Sequence, residues 1–347
     1  MRALRLGPPC ALALLALMLA AGCVRKADQT GPASGPAGAV KSEAPGPAAA
    51  EVGEVPLVPE NEARYTVGVS LLTSAHVFYQ TLERAMREEA LKHKIRLKIQ
   101  SAEFKAAQQR HQIEDFITSK VDAIVVCPVE SANTAAIIGK ANTANIPVFT
   151  ADIRADQGDV VCHVATDNVE GGRLAGERMA ELLKGKGEVI IIDHPQVASV
   201  QDRTRGFVEA LAKHPGIKVV ARPVGAGVRE TARKAMEDAL IAHPEMDGVF
   251  CINDSTAMGA LAALQSQVKP PNIVMVSYDG DPEACEEIRR GTALKADVVQ
   301  YPAKIGSQVI QAIADHLSGK PVPKEMPVKP GIVDAESLAA THGKPAE

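Results

Sequence analysis

Short, β-branched apolar runs alternate with amphipathic segments from Tyr65 almost to the end of the chain, and this alternation restricts the fold more than any other feature. The run "YTVGVSLL" (65–72) is typical of a strand, and apolar residues then recur at helical spacing. Similar runs include "DAIVVCP", "EVIIID" and "GVFCIND", with helix-like segments between them. Strands that alternate with helices predict parallel sheets covered by helices on both faces.

A single eight-fold β/α barrel would also fit a chain of 347 residues. Against the barrel, only the seven residues 153–159 separate "IPVFTAD" from "VVCHVATD", which is too short for a helix between two strands. The alternation also starts again after Asp167. The sequence therefore predicts an α/β fold with two doubly wound, parallel-sheet lobes of about five strands each.

Several of the predicted strands end in a carboxylate or an amide, as in "VFCIND" (249–254), "VFTAD" (148–152) and "VMVSYDG" (274–280). Parallel strands end at the same edge of a sheet, where ligands bind. Such residues are also ordinary helix N-caps, and we expect Asp254 to cap the helix that follows it. Three such ends in a two-lobe chain favour a shared cleft over three unrelated caps.

The N-terminal segment predicts export and attachment to a membrane. Residues 1–22 combine Arg2 and Arg5 with an apolar stretch of about half the roughly 20 residues that a spanning helix needs, as in a signal peptide. "LAAGC" (19–23) resembles the lipobox of bacterial lipoproteins and indicates lipidation of Cys23; a cleaved signal without lipid and an uncleaved anchor are alternatives. Residues 23–62, rich in Ala, Gly and Pro, are predicted to form a disordered tether. The expected location is the cell envelope, facing the periplasm or the exterior.

Charge and cysteine usage exclude several classes of function. The formal net charge is −4, and no segment forms the basic face that nucleic acid requires. Three of the cysteines after Cys23 lie in apolar runs and read as buried thiols, although an exported protein could form disulfides. No metal-binding Cys/His spacing, nucleophile–base pair or phosphate loop is present. We therefore expect no metal, no cofactor and no enzymatic activity.

Six motifs together carry a specific family resemblance: "ANIPVFTAD", "HVATDNVEGGRLAG", "RTRGF", "AHPEMDGVFCIND", "MGALAALQ" and "SYDGDPEA". The stretch that contains them, about 65–334, resembles the ribose- and galactose-type periplasmic sugar-binding proteins, which are related to the effector domains of LacI-type repressors. The resemblance implies the type I periplasmic binding protein fold, with two lobes joined by three hinge strands and a sugar between them. A repressor would need a DNA-binding helix-turn-helix ahead of this fold, where the chain has a signal and a tether.

The resemblance also implies the boundaries of the two lobes. The N-terminal lobe is expected to comprise residues 63–166 and 300–327. The C-terminal lobe is expected to comprise residues 167–299 and 328–338, and a tail at 339–347 follows.

The same resemblance implies a set of ligand-binding side chains: His76, Phe78, Tyr79, Asp152, Arg203, Asn253, Asp279 and Gln300. Phe78 and Tyr79 occupy the positions of an aromatic pair that covers the C–H face of a sugar ring. Asp152 and Asp279 match carboxylates that accept hydroxyl protons, and Arg203 matches a guanidinium with a planar fork of donors. The alternatives are that Phe78 belongs only to the core and that Arg203 is a solvated residue at a helix start.

Asn253 and Gln300 match amide positions, where one side chain can both donate and accept. Gln300 also lies on an expected hinge strand, so its alternative role is to hydrogen-bond between the lobes.

Three departures from the family pattern prevent the assignment of ribose as the ligand. His76 stands where the ribose type has an asparagine, and Ile153 stands where it has an arginine, although Arg154 follows. The segment "VGAGVR" (224–229) offers no aromatic residue where the family often supplies a second stacking wall. We therefore expect a roomier pocket that lacks one donor and one ring.

The resulting hypothesis is a monomeric, lipid-anchored binding protein that takes up a monosaccharide or related polyol and delivers it to the permease of an ABC-type sugar importer. The alternative is a sensory receptor that reports the bound sugar to a membrane kinase or chemoreceptor. Both use the same binding chemistry, so the sequence does not separate them.

Overall fold

The computed structural model describes residues 55–268 and 272–340. The predicted signal peptide, Cys23 and most of the tether and tail lie outside the described residues. Within the described end of the tether, Val58 is buried and Glu60 forms an ion pair with Arg96 at 3.0 Å. Val58 and Glu60 of the predicted tether therefore contact the folded part of the chain, and the bounds of the tether stay a prediction.

The described residues contain strands and helices in the alternating order that the sequence predicted. The strands are β1 (Tyr65–Leu71), β2 (Ile95–Ser101), β3 (Ala123–Val126), β4 (Val148–Ala151), β5 (His163–Thr166), β6 (Lys186–Ile192), β7 (Gly216–Ala221), β8 (Gly248–Cys251), β9 (Val274–Asp279), β10 (Leu294–Val299), β11 (Glu325–Val328) and β12 (Gly331–Asp334). The helices are α1 (Val77–His93), α2 (Ala106–Thr118), α3 (Ala135–Thr143), α4 (Asn168–Leu182), α5 (Ala198–Leu211), α6 (Arg229–Ala242), α7 (Asp254–Gln265), α8 (Pro282–Arg289), α9 (Pro302–Leu317) and α10 (Ala335–Ala340).

The strands form two separate sheets, one in each lobe. The first sheet has the order β11-β5-β4-β3-β1-β2 and is parallel throughout. The second has the order β12-β10-β9-β8-β6-β7 and is parallel except that β12 runs antiparallel to β10. The predicted two-lobe α/β fold is confirmed, and the single-barrel alternative is wrong because two sheets are present.

Within residues 55–268 and 272–340 each sheet has six strands, so the expectation of about five was too low. The additional strands β11 and β12 are short and lie at the edges of the two sheets. Pro327 interrupts the apolar pattern of β11, and proline in a sheet is largely confined to edge strands because it cannot donate to the ladder. Their sequences therefore carry little strand signal.

The chain passes from one lobe to the other three times: between β5 and α4, between β10 and α9, and between β11 and β12. Helix α9 packs against α1, so it belongs to the first lobe although it follows most of the second. These crossings place three strand ends side by side at the junction of the lobes.

Buried β-branched strands form the cores, as their apolar runs predict. All residues of β3, β4 and β8 are buried, and helices cover both faces of each sheet. Phe207 of α5 stacks on Phe250 of β8 with ring centroids 4.4 Å apart. In the part of the chain that the structure describes, no helix combines the length and apolarity needed to cross a membrane.

The cysteines of the described residues are free thiols. Cys127, Cys162 and Cys251 are buried, and Cys285 is half-buried. The interpretation of the first three as small buried hydrophobes is confirmed.

Candidate ligand-binding site

Residues at the carboxyl ends of strands from both sheets surround one cavity between the lobes. The strand order reverses at β1 and β3 in the first sheet and at β6 and β8 in the second, and α/β sheets bind ligands outside their carboxyl ends at such points. The cavity brings together all eight predicted side chains: His76, Phe78, Tyr79, Asp152, Arg203, Asn253, Asp279 and Gln300. It is also lined by residues that were not predicted to bind: Leu72, Phe104, Ile153, His194, Val197, Ser199, Val200, Gly227 and Ile252.

The two predicted carboxylates lie at corresponding positions of the two lobes. Asp152 directly follows β4, Asp279 ends β9, and these strands hold the same place in their sheets. Both residues have positive φ angles, 63° for Asp152 and 138° for Asp279. A non-glycine residue held in such a conformation costs on the order of 1–3 kcal/mol, and strained residues of this kind concentrate at ligand-binding positions.

Asp152 keeps one carboxylate oxygen without a protein partner. The hydroxyl of Tyr79 donates to Oδ2 at 2.5 Å, whereas Oδ1 is buried and accepts no hydrogen bond. Burial raises the pKa of Asp152 to about 6, although the positive charge of Arg203 and the Tyr79 hydrogen bond oppose this rise. A buried acceptor without a donor is costly, and a ligand hydroxyl in the cavity would supply the donor.

Asp279 lies beside two donors from different parts of the site. Gln300 Nε2 donates to Oδ1 at 2.7 Å, and Arg203 Nη1 lies 3.7 Å from the same oxygen. Burial raises the pKa of Asp279, and Arg203 and Gln300 oppose that rise. The N-cap of α8 is Asp281, so the alternative that Asp279 caps the next helix does not apply.

Arg203 is buried on α5, so the alternative of a solvated arginine is wrong. Its Nε donates to Asn168 Oδ1 at 2.8 Å, and its Nη1 donates to the carbonyl of Ile252 at 2.7 Å. The guanidinium also lies over the ring of Tyr278, 3.9 Å from the centroid. These contacts hold a planar donor group against the wall of the cavity.

Two glycines allow α5 to bring Arg203 to this position. A Cβ on Gly172 of α4 would lie 2.0 Å from the carbonyl oxygen of Arg203, and a Cβ on Gly206 would lie 2.0 Å from that of Val169. The backbones of α4 and α5 therefore pack directly against each other, which larger residues would prevent. The motifs "NVEGGRLAG" and "RTRGF" contain these glycines.

Asn253, and not Asp254, caps helix α7, so the predicted cap is wrong. Asn253 has extended backbone angles, its Oδ1 accepts from the amide of Thr256 at 2.9 Å, and its Nδ2 donates to the carbonyl of Gly227 at 3.3 Å. Asp254 already belongs to the helix, and its carboxylate accepts from Ser277 Oγ and from the amide of Asp281. The amide of Asn253 thus serves the helix, and its second N–H remains available at the cavity.

Gln300 connects the lobes, as its alternative role proposed. Its Oε1 accepts from Thr166 Oγ1 of the first lobe at 2.7 Å, while its Nε2 holds Asp279 of the second. Gln300 therefore lines the cavity and orients one of its carboxylates.

The aromatic pair belongs to both the core and the cavity wall. Phe78 and Tyr79 are buried, with their rings nearly perpendicular and 5.2 Å apart. Phe104 also lines the cavity, with its ring 5.5 Å from that of His76. Phe104 belongs to the first lobe and is a ring that was not predicted, whereas no Phe, Tyr or Trp of the described second-lobe residues lines the cavity.

Two histidines, whose protonated form burial disfavours, complete the wall. Burial lowers the pKa of His76, although Glu103 and the Gly227 backbone oppose this. Burial and the nearby His76 lower the pKa of His194 to about 4. Phe104 and His194 follow the ends of β2 and β6 within three residues, but neither is a carboxylate or an amide, so the strand-end pattern that marked Asp152 did not include them.

The departures at residues 153 and 154 leave the cavity with one cation for two carboxylates. Ile153 lines the cavity, whereas Arg154 forms an ion pair with Asp202 of α5 and is not among the lining residues. Among the described residues at the cavity wall, Arg203 is the single positively charged side chain. No group of His, Cys, Asp and Glu in the described residues could hold a metal ion.

The raised pKa of Asp152 predicts that its charge destabilises the ligand-free protein. The carboxyl titrates near 3.8 when unperturbed and at about 6 in the fold, so its contribution to stability is present at low pH and is lost as the pH rises through 6. Asp152→Asn cannot ionise and should be more stable than the wild type above pH 6, by up to about 3 kcal/mol. Urea unfolding from about pH 4 to pH 8 checks this.

The expected difference in the free energy of unfolding between Asp152→Asn and the wild type becomes smaller toward pH 4. The exposed Asp238 provides a control, since Asp238→Asn should leave the dependence of the unfolding free energy on pH unchanged. Parallel profiles for Asp152→Asn and the wild type would show that Asp152 carries no buried charge.

Comparisons with known proteins agree with this architecture. The family model described as periplasmic binding protein domain matches residues 67–321. The ribose import binding protein RbsB of Bacillus subtilis is 32% identical over 266 residues, which cover 76% of this chain and 85% of that protein.

Two solved structures share the fold closely. An ABC transporter solute binding protein from Mycobacterium smegmatis with bound glycerol has a TM-score of 0.76 and 29% identity, covering 82% of this chain and 99% of its own. The fructose binding periplasmic domain of a hybrid two component system has a TM-score of 0.74 and 26% identity, covering 80% of this chain and 95% of its own. The resemblance found in the motifs is confirmed, and the chain belongs to the periplasmic binding protein family.

Proposed function

We propose that the protein binds a monosaccharide or related polyol between its lobes and delivers it to the permease of an ABC importer. The observation that carries this proposal is a pair of carboxylates, those of the buried Asp152 and of Asp279, whose side chain is 9% exposed, which face one cavity from opposite lobes. Ionised carboxylates only accept hydrogen bonds, and adjacent sugar hydroxyls are donors that match them. The apolar faces of Phe78 and Phe104 suit the C–H face of a sugar.

The named relatives support a polyhydroxy ligand, since one is called a ribose import protein and another holds glycerol. Contacts from both lobes favour a mechanism in which the ligand draws the lobes together by a hinge motion at the three crossings. The permease would then recognise the closed, monomeric protein. The groups that line the cavity suit the binding of a hydroxyl-rich ligand, because Asp152 Oδ1 is a buried acceptor without a protein donor and Arg203 is a planar donor at the wall.

A thermal-shift screen over pentoses, hexoses, deoxysugars, polyols and furanoses tests the proposal. A ligand at about 100 times its Kd stabilises the native state by about 2.7 kcal/mol. For a chain of this size, that corresponds to a rise in melting temperature of about 5–10 °C. A screen in which no sugar or polyol raises the melting temperature would overturn the proposal.

A sensory receptor is a second candidate function, because the fructose binding domain of a two component system has the same fold. Uptake of the sugar found in the screen separates the two. Cells that lack this protein should lose uptake if it serves an importer and keep uptake if it serves a sensor.

We further propose that Cys23 is lipidated and that the protein is held at a membrane facing the periplasm or the exterior. The support is the lipobox-like "LAAGC" and the Ala-, Gly- and Pro-rich segment after it. Replacement of Cys23 by Ser should move the protein from the membrane fraction to the soluble fraction. An unmodified wild-type Cys23 in mass spectrometry, with the wild type already soluble, would contradict the anchor.

A further inference from the structure

Ser131 joins the two lobes at the cleft although it does not line the ligand cavity. It lies in the loop between β3 and α3 of the first lobe and is fully buried. Its Oγ accepts from the amide of Ala198 at 2.9 Å, and its own amide donates to the carbonyl of Gln196 at 3.3 Å. Its carbonyl accepts from the amide of Asp156 in the first lobe at 3.1 Å. One residue is thus held by its own lobe and bonded twice to the other.

The bond to Ala198 supplies a helix with an acceptor that it lacks in its own sequence. Ala198 is the first residue of α5, and the N-cap residue, Val197, has no side chain that can accept a hydrogen bond. Amides in the first turn of a helix have no partner within the helix, and side-chain oxygens usually provide one. For α5 this oxygen comes from the opposite lobe.

A second contact joins the first lobe to the same helix one turn further on. Arg154, in the loop after β4, forms an ion pair with Asp202 of α5. Asp202 lies four residues after Ala198, so both cross-lobe contacts are on the same side of the helix. The same helix carries Arg203 into the cavity.

We propose that Ser131 and Arg154 are positioning residues that form a latch across the cleft, which stabilises the closed arrangement and orients α5 before a ligand is bound. This rests on the proposed closure of the lobes around a ligand. Opening at the hinge would separate the loops of the first lobe from α5 and break all these contacts. The packing of α4 on α5 lies within the second lobe and would survive.

The latch determines which fraction of the ligand-free molecules has the closed arrangement. A ligand that needs the closed arrangement binds with an apparent affinity that is reduced by the fraction of molecules in other states. Loss of the latch therefore weakens binding through residues that touch no ligand.

Hydrogen exchange of the ligand-free, full-length protein tests the latch without knowledge of the sugar. In Ser131→Ala the amide of residue 131 can still donate to Gln196, yet it should exchange about fivefold faster, because the helix cap no longer favours the closed arrangement. In Arg154→Gln, which leaves both cross-lobe hydrogen bonds chemically possible, the amides of Ser131 and Ala198 should exchange about twofold faster.

Thr134→Ala is the matched control, because the Thr134 hydroxyl donates to the carbonyl of Glu130 within the same loop and makes no hydrogen bond to the described residues of the second lobe. It should leave exchange at Ala198 unchanged. If Arg154→Gln leaves both amides at the wild-type rate and Ser131→Ala accelerates only Ala198, Ser131 is a local cap and the latch is refuted. The hydrogen-exchange result does not depend on the sugar screen, because no sugar is used in it. The proposed function and the latch can therefore be refuted independently of each other.

Discussion

Asp279→Asn is expected to weaken binding of the sugar found in the screen by a hundredfold or more, on the order of 3 kcal/mol. The carboxylate of Asp279 lies between two donors, Gln300 Nε2 and Arg203 Nη1. Asparagine removes the charge and replaces one acceptor oxygen with an NH₂ group, which cannot accept the proton of a ligand hydroxyl and would oppose the two donors if it faced them. Isothermal titration calorimetry measures the loss.

Asp167→Asn is the matched control for this variant. The carboxylate of Asp167 accepts from the amide of Glu170 and caps α4 outside the cavity. Because asparagine caps a helix about as well as aspartate, both affinity and melting temperature should stay at the wild-type values. Wild-type affinity in Asp279→Asn would remove that carboxylate from the proposed site.

Arg203→Lys is expected to lower both the affinity, again by about a hundredfold, and the stability of the ligand-free protein. The lysine ammonium cannot donate along both directions that the guanidinium uses, toward Asn168 and Ile252, nor lie flat over the ring of Tyr278. It would also be buried beside Asp279 with fewer hydrogen bonds, which disfavours its charge. Calorimetry and the melting temperature without ligand together measure both effects.

Arg205→Lys controls for a change of arginine on the same helix. The side chain of Arg205 is 55% exposed and pairs with two acidic neighbours on α5, so its replacement should be nearly silent. If Arg203→Lys lowered the melting temperature but kept full affinity, Arg203 would belong to the scaffold and not to the site.

The fold and the position of the cavity were predictable because simple periodicity determines them. Runs such as those before Asp152 and Asp279 are apolar on both faces, which indicates strands buried between helices. Once two parallel sheets are inferred, the geometry of parallel strands places their polar ends at one edge. That reasoning predicted that the two carboxylates face one cleft, and the family motifs added further side chains to the predicted site.

The partners of those side chains were not predictable, because segments distant in sequence supply them. Gln300 is held by Thr166 of the other lobe, and Tyr79 donates to Asp152, which lies 73 positions later. The exchange of roles between Asn253 and Asp254 depends on which residue first adopts helical backbone angles, and spacing alone does not reveal this.

The position of α9 and β11 in the chain also determines when the first lobe can be completed during biosynthesis. These elements are made after nearly all of the second lobe, and until then the face of α1 that packs on α9 and the edge of β5 that pairs with β11 stay uncovered. Domains normally fold as units from the N-terminus as the ribosome proceeds, but this lobe must wait for its last elements. A translation product that stops before Pro302 would therefore contain no finished lobe, and it should be degraded or aggregate instead of accumulating as a stable fragment.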